Sequence, residues 1–241
     1  MESTKSKIKR IVYNALPKGF ISFIKQQVFN DHDYFKLLNV SFSQEGEDQI
    51  LSQFFYGIEK GFFLDIGAHK PIQYSNTYRF YLNGWRGINI DAMPGSMDEF
   101  NRLRPKDINV EAAIGSTKQI LDYHVFDAAG VNTFSKEHAS EMASKGYKPT
   151  KIIPIQTTTL KSILEIYLPH NQKINFLSLD VEGFELDVLQ SNNWTMFRPT
   201  ILLVESLELR NKEVLQELMD EHGYNLIAQT VNNLYFKDSH Q

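Results

Sequence analysis

Acidic residues stand at the ends of several short apolar runs, and this placement has the clearest chemical consequence in the sequence. Asp65, Asp91 and Asp180 each close such a run, and Glu205 closes another. Carboxylates gathered in one cleft can bind ribose hydroxyls, face a cationic ligand, accept a proton or hold a hard cation. Which of these they do depends on the elements that position them.

The apolar runs are predicted to be strands of an open α/β sheet. In Gly61–His69, four apolar or β-branched residues surround Asp65 and Gly67 follows directly, which indicates a buried strand that stops in a tight turn. Helical patterns separate the runs, so the expected fold is Rossmann-like: a mostly parallel twisted sheet, helices on both faces and a C-terminal antiparallel hairpin. The other predicted strands cover 87–91, 107–115, 174–183 and 201–206, and the hairpin covers 224–229 and 233–236. Ligands bind such sheets outside the carboxyl ends of the strands.

The middle of the chain, residues 119–158, has a different pattern. Two strand-like runs, Ile120–Phe126 and Ile152–Thr158, flank a polar stretch that contains Asn132–Ser135 and Lys136–Lys145. We expect the polar stretch to form a helix or a lid over the cleft.

Residues 1–40 are predicted to be an amphipathic helical extension, and residues 41–241 the catalytic domain. Basic residues cluster in the extension among apolar ones, with a break near Pro17-Lys18-Gly19. One interpretation is peripheral contact with an anionic membrane or with another enzyme such as a glycosyltransferase. The other is a helix that covers one edge of the sheet.

Composition narrows the function classes. A net charge of -4 and a pI near 6.0 provide no basic field for DNA or RNA, so nucleic acid is not an expected partner. With no cysteine there is no disulfide, thiolate metal site or cysteine nucleophile. No apolar stretch reaches the length of a bilayer span, and we expect a cytoplasmic protein, membrane-associated only through residues 1–40.

The turn after Ile66 discriminates between cofactors. Dinucleotide folds place three closely spaced glycines there, but Gly67 stands alone and Pro71 removes an amide donor. These features disfavour NAD and FAD. S-adenosylmethionine (SAM) needs one close-approach glycine, a carboxylate near its positive end and an acid for the ribose hydroxyls. The residues of this turn and of the neighbouring strand ends meet these needs. A nucleotide-sugar oxidoreductase or epimerase and a non-catalytic SAM-fold scaffold are the alternatives.

Several motifs together resemble the FkbM family of SAM-dependent methyltransferases. They are Ser43–Asp48, Leu64–His69, Ser75-Asn76-Thr77, Gly84–Asp91 and Leu179–Gly183, within a region of similarity over about 42–206. The resemblance implies a class I methyltransferase fold and O-methylation of a hydroxyl on a sugar, glycan precursor or other natural product. Where the family usually has Asn-x-Gly, this chain has His69-Lys70-Pro71.

The resemblance also assigns roles to residues. It implies a first SAM loop at Asp65, Gly67 and Ala68, a ribose contact at Asp91, and a border between SAM and acceptor at Asp180–Glu182. The full predicted cofactor-binding set is Gln44, Asp65, Gly67, Ala68, Ser75, Asn76, Asp91, Ala92, Ala113 and Asp180.

The proton acceptor is left open among side chains of suitable chemistry, each of which could instead stabilise a loop. The candidates are Asp180, Glu182, Glu205, His69 and His138. Mg²⁺ held by Asp180, Glu182 and Glu205 is a further hypothesis that the sequence alone does not establish. Tyr74, Trp85 and Phe134 are candidates for stacking, or else core residues.

Overall fold

A computed structural model describes residues 39–206 and 209–240. All of its helices and strands described below lie in the compact unit Ser41–Gln241. The predicted amphipathic extension falls outside the described residues except for its last two positions, so it stays a prediction. None of the described helices has the length and apolar character needed to cross a bilayer.

The described chain contains ten strands, and seven α-helices alternate with them. The strands are β1 Phe62–Ile66, β2 Arg86–Asp91, β3 Ile108–Glu111, β4 Ala113–Ile114, β5 Ile120–Phe126, β6 Pro149–Thr158, β7 Phe176–Leu179, β8 Ile201–Glu205, β9 Tyr224–Gln229 and β10 Asn233–Asp238. The helices are α1 Glu47–Phe54, α2 Tyr78–Leu82, α3 Met97–Leu103, α4 Lys136–Ser144, α5 Leu160–Tyr167, α6 Glu185–Gln190 and α7 Leu209–Glu221, with a 3₁₀ turn at Ala129–Val131.

Seven strands form the main sheet in the order β3-β2-β1-β7-β8-β10-β9. The first five run parallel, and β10 joins β8 antiparallel before pairing with β9. The prediction of an α/β fold with a mostly parallel sheet and a C-terminal antiparallel hairpin is confirmed.

β1 lies in the interior of this sheet, between β2 and β7, and apolar side chains dominate both of its faces. Successive side chains of a strand point to opposite faces. Phe62, Leu64 and Ile66 accordingly pack in one hydrophobic cluster, and Phe63 packs in another with Phe176. A strand buried on both faces is typical of the interior of a parallel sheet, and it holds its last residues rigidly.

The third predicted strand, 107–115, is wrong as a single element. The structure divides it into β3, in the main sheet, and β4, in a separate sheet of order β4-β6-β5. The Ala112 N–H completes the pairing to β2 by donating to the Asp91 carbonyl at 2.9 Å, after which the chain leaves the main sheet. One apolar run therefore contributes a strand to each of the two sheets.

The second sheet carries the polar stretch of the middle region. β5 and β6 pair antiparallel, and the segment between them holds the 3₁₀ turn and α4. The Ser135 side chain caps α4 by accepting from the His138 N–H. The two strands and a helix in this region agree with the sequence prediction.

Candidate active site

The strand register places four chemically important residues in one row. Ile66 of β1 pairs with Ile90 of β2 on one side and with Leu179 of β7 on the other, and Leu179 pairs with Val204 of β8. The next residue of each strand or its following loop is therefore at the carboxyl edge of the sheet. These residues are Gly67, Asp91, Asp180 and Glu205.

A cleft of about 230 Å³ opens at this edge. Its walls come from the loops after β1, β2 and β7, and from the segment that joins β5 to α4. This is the position at which open α/β sheets bind ligands. The lining residues that bear on the chemistry are Gln44, Asp65, Gly67, Ala68, His69, Tyr74, Ser75, Asn76, Asp91, Ala92, Tyr123, Asn132, Phe134, Ser178, Asp180, Glu182 and Phe184.

Gly67 is required by the close approach of two loops. It has φ +78°, and a Cβ placed on it would lie 1.6 Å from the Asp180 carbonyl oxygen. The Gly67 and Ala68 amides both donate to the Ile90 carbonyl, at 2.9 and 3.0 Å. The loop after β1 is thus fixed against the loops after both neighbouring strands, as a rigid floor for a ligand.

Three non-glycine residues that line the cleft adopt left-handed backbone conformations. They are His69 at φ 48°, Tyr74 at φ 59° and Glu182 at φ 54°. Such conformations cost about 1–3 kcal/mol each and concentrate at functional sites, where the surroundings hold them. The backbone therefore marks this cleft independently of its side-chain types.

Asp91 is buried at the end of β2 and organises the adjoining loops. Its Oδ2 accepts from the His69 N–H at 2.9 Å, and its Oδ1 accepts from the Met93 N–H at 2.8 Å. Burial raises the pKa of Asp91, and the two backbone donors oppose that rise. Each carboxylate oxygen can accept a second hydrogen bond, so Asp91 retains capacity for a ligand hydroxyl.

Asp65 lies one residue deeper and belongs to a buried polar network. It accepts from the Thr77 hydroxyl at 2.5 Å, and Arg104 donates to the same hydroxyl at 2.9 Å. Arg104 also pairs with Asp107 at 2.8 Å, and both side chains are 0% exposed. Burial raises the pKa of Asp65, while the Arg104 charge lowers it. This network supports the floor of the cleft.

Three acids meet where β7 and β8 end. One carboxylate oxygen from each of Asp180, Glu182 and Glu205 lies within 4.8 Å of the others. Burial raises the pKa of both Asp180 and Glu205, and their mutual repulsion raises the pKa of Glu205 further. Asp180 and Glu182 line the cleft, and Glu205 is buried behind them.

Two histidines lie near these acids. His69 lines the cleft, and burial lowers the pKa of its imidazole despite the nearby charges of Asp91 and Glu182. His138, on α4, places Nε2 at 3.1 Å from the Glu182 Oε2, and this contact raises the pKa of His138. At neutral pH His69 is thus an available proton acceptor, whereas His138 is paired.

Comparison with known families identifies the chain. Residues 65–226 match the family described as "Methyltransferase FkbM domain". This chain belongs to the FkbM methyltransferase family. The sequence prediction of the family is confirmed, and with it the class of enzyme, a methyltransferase. The sequence has no significant match among curated proteins.

Solved structures similar to this FkbM methyltransferase are distant in sequence. The precorrin-6y C5,15-methyltransferase from Geobacter metallireducens GS-15 is 12% identical with a TM-score of 0.40, covering 78% of this chain and 84% of that one. Methyltransferase FkbM from Methylobacillus flagellatus KT is 12% identical with a TM-score of 0.48, covering 86% of this chain and 50% of that one. The C-terminal domain of the Rhodobacter capsulatus precorrin-6Y C5,15-methyltransferase is 11% identical with a TM-score of 0.43, covering 83% of this chain and 91% of that one.

The structure brings most of the predicted site residues of this FkbM methyltransferase into one cleft. Two do not line it. Glu205 lies behind Asp180, and Ala113 is 2% exposed, while its neighbours Ala112 and Ile114 line the cleft instead. Successive side chains of an extended segment point in opposite directions, which explains why Ala113 faces away. Trp85, a stacking candidate, is buried in an aromatic core cluster.

The middle region was expected to cover the cleft, but the individual residues with which it lines the FkbM methyltransferase cleft were not predicted. Tyr123 and Asn132 line it from this region, Phe184 lines it from the loop after β7, and the Tyr123 and Phe134 rings lie 4.6 Å apart between centroids. Tyr123 carried a usable signal, since it lies in a predicted strand of the region expected to cover the cleft. Asn132 lies in the polar stretch expected to form a helix or a lid over the cleft, but nothing in its spacing marked it individually as a lining residue.

Proposed function

We propose that this methyltransferase uses SAM and transfers the methyl group to a hydroxyl of a sugar or glycan precursor. The observation that carries the proposal is the row formed by Gly67, Asp91 and Asp180 at the carboxyl edge of the sheet. A close-approach glycine with an acid on either side matches the demands of a nucleoside that bears a cationic amino-acid end. The family assignment supports methyl transfer itself.

The residues present suit SAM. Asp91 has free acceptor capacity for ribose hydroxyls, and the cleft offers apolar surface from Ile90 and Ile114 for an adenine ring. Asp180, on the far side of Gly67, offers a carboxyl whose ionised form a bound cationic group would favour against the rise in pKa that burial causes. When bound, SAM supplies an electrophilic methyl group carried on a sulfonium.

The acceptor side of the cleft has the polar and aromatic character that a sugar requires. Glu182 and Asn132 offer hydrogen-bonding groups, and Tyr74 presents a ring that is 55% exposed. Aromatic faces pack against the apolar faces of sugars, while carboxylates and amides bind hydroxyl groups. In this proposal His69 accepts the hydroxyl proton, because its imidazole is neutral at pH 7 and lines the same cleft.

His69→Gln is expected to lower kcat about 100-fold, at the lower end of the range for general-base catalysis, with little change in SAM affinity. As the pH is lowered, the kcat of the wild type should begin to fall only below the ordinary histidine pKa of about 6.5. The reason is that the pKa of His69 is lowered, so its imidazole stays neutral to a more acidic pH. The charges facing His69 are Asp91 and Glu182, which favour its protonation, and Lys70, which opposes it. A pH profile of kcat measures both effects, with His170→Gln at an exposed position as control. An unchanged kcat in the His69 variant would remove this residue from proton transfer.

Asp91→Ala is expected to weaken SAM binding by about 1–3 kcal/mol, the cost of losing a partner to a buried polar group. Calorimetric titration with SAM measures the change, and thermal unfolding shows how much of it reflects the freed His69 and Met93 amides. Asp98→Ala removes an exposed acid from α3 and should bind SAM as the wild type does. Equal affinity of the Asp91 variant and the wild type would refute the ribose assignment.

Incubation of the purified protein with SAM and a panel of sugar, nucleotide-sugar and non-sugar alcohols tests the overall proposal. Mass spectrometry should detect one added methyl group on a sugar hydroxyl, together with S-adenosylhomocysteine. Methylation confined to non-sugar acceptors would overturn the sugar assignment. Tight NAD binding without SAM binding would favour a nucleotide-sugar oxidoreductase or epimerase instead.

A further inference from the structure

The end of β8 holds an acid whose surroundings are incomplete. Glu205 is only 9% exposed, and its Oε2 has no hydrogen-bond partner among the described residues. The Glu205 carboxyl meets the carboxyl of Asp180, a contact between two acids that requires a proton or a cation between them. A buried carboxylate oxygen without a donor carries the full cost of its lost hydration.

The neighbouring Glu185 shows how this fold satisfies a buried acid that has a structural role. Glu185 is 7% exposed, and its Oε1 accepts from the Val181 and Gly183 amides, each at 3.1 Å. In the part of the chain that the structure describes, no comparable pair of donors reaches the Glu205 Oε2. The contrast separates an acid that holds a loop from one that is left available for a ligand.

The charges around Glu205 also lack compensation. Asp180 and Glu182 each place a carboxylate oxygen within 4.8 Å of one from Glu205. Among the side chains that the structure describes, residues 207–211 being outside them, no lysine or arginine forms an ion pair with any of the three, and the nearby basic groups are His138 and His69. Three carboxylates so close together repel one another unless a proton or a cation joins them.

We propose that Asp180, Glu182 and Glu205 bind a divalent cation of the Mg²⁺ class at the floor of the cleft. Carboxylate oxygens are the ligands that such hard cations prefer, and Mg²⁺ usually keeps several coordination positions for water or substrate. Asp180 and Glu182 line the cleft, so the open positions face the space assigned to the acceptor. This inference rests on the proposed function, in which the cation orients a sugar hydroxyl toward His69.

Mn²⁺ titration of the full chain, followed by electron paramagnetic resonance without SAM, tests the site directly. The wild type should bind a single Mn²⁺ at submillimolar concentration, and Mg²⁺ should compete for it. Glu205→Gln keeps the shape of the side chain and should weaken Mn²⁺ binding at least about tenfold. Glu165→Gln, an exposed acid on α5, is the control and should bind as the wild type does. Absence of Mn²⁺ binding to the wild type, or equal binding by the Glu205 variant, overturns the inference.

Thermal unfolding distinguishes a loss of Mn²⁺ binding in the Glu205→Gln variant from a folding defect. Without metal, Glu205→Gln should be at least as stable as the wild type, because a neutral amide of the same shape replaces a carboxyl whose charged form burial disfavours. Added Mn²⁺ should then raise Tm for the wild type and for Glu165→Gln but not for Glu205→Gln. If the Glu205 variant does not fold, Asp180→Asn takes its place in both measurements, and wild-type Mn²⁺ affinity in that variant overturns the site.

Calorimetry with SAM in metal-free buffer separates this inference from the proposed function. SAM binding without Mn²⁺ binding overturns the cation site and leaves the proposed function in place. Mn²⁺ binding that Glu205→Gln weakens, in a protein that does not bind SAM, supports the cation site and overturns the proposed cofactor.

Discussion

Gly67→Ala is expected to abolish SAM binding and to lower the free energy of unfolding by about 2–4 kcal/mol, the sum of a left-handed alanine and an overpacked contact. The new Cβ would lie 1.6 Å from the Asp180 carbonyl oxygen, which is a backbone atom and cannot rotate away. The loops after β1 and β7 must separate to relieve the contact, and these loops carry both sides of the proposed cofactor site. Urea unfolding and calorimetric titration with SAM measure the two effects.

Gly57→Ala is the matched control for the cost of placing an alanine in a left-handed backbone conformation. Gly57 has φ +81°, close to the +78° of Gly67, but a Cβ there would meet nothing within 4 Å. We expect the free energy of unfolding of this variant to fall by only about 1 kcal/mol and its SAM binding to match that of the wild type. Equal losses in the two variants would show that backbone conformation, and not the contact with Asp180, accounts for the effect.

Arg104→Met is expected to lower the free energy of unfolding by about 3–5 kcal/mol, the range for removing one partner of a buried ion pair. Arg104 and Asp107 are 2.8 Å apart with no exposed side-chain surface, so Asp107 would be left buried without its cation. The Arg104 charge also offsets the cost of burying Asp65, which raises the penalty further. Denaturant unfolding monitored by circular dichroism measures the loss.

Arg102→Met provides the comparison, because Arg102 lies in the last turn of α3, two residues before Arg104. Arg102 pairs with Glu99 at 3.2 Å, but the two side chains are 68% and 49% exposed. Exposed ion pairs contribute little to stability, so we expect the free energy of unfolding to change by no more than about 0.5 kcal/mol. A loss for Arg104→Met as small as that of Arg102→Met would contradict the structural role assigned to the buried pair.

The central sheet could be predicted because its information is local. The apolar run before Gly67, the acid at Asp91 and the run that ends at Glu205 each identify a strand without reference to the rest of the chain. Parallel strands separated by helices then place these ends together. The family resemblance reached the same region from motifs, and the family match confirmed it.

What the sequence could not provide depends on contacts between distant residues. The run 107–115 reads as one strand, since nothing local marks Ala112 as the point where the chain changes sheets. Arg102 and Arg104 are two residues apart and chemically alike, yet one is exposed and the other fully buried. The approach of His138 to Glu182 joins α4 to the loop after β7, a pairing that no spacing in the sequence encodes.

Isothermal titration calorimetry of the full chain with SAM and with S-adenosylhomocysteine tests the central claim most directly. The proposed cleft predicts that both bind at submillimolar concentration and that Gly67→Ala, but not Gly57→Ala, abolishes binding. If neither compound binds in that concentration range, the assignment of this cleft to SAM is contradicted.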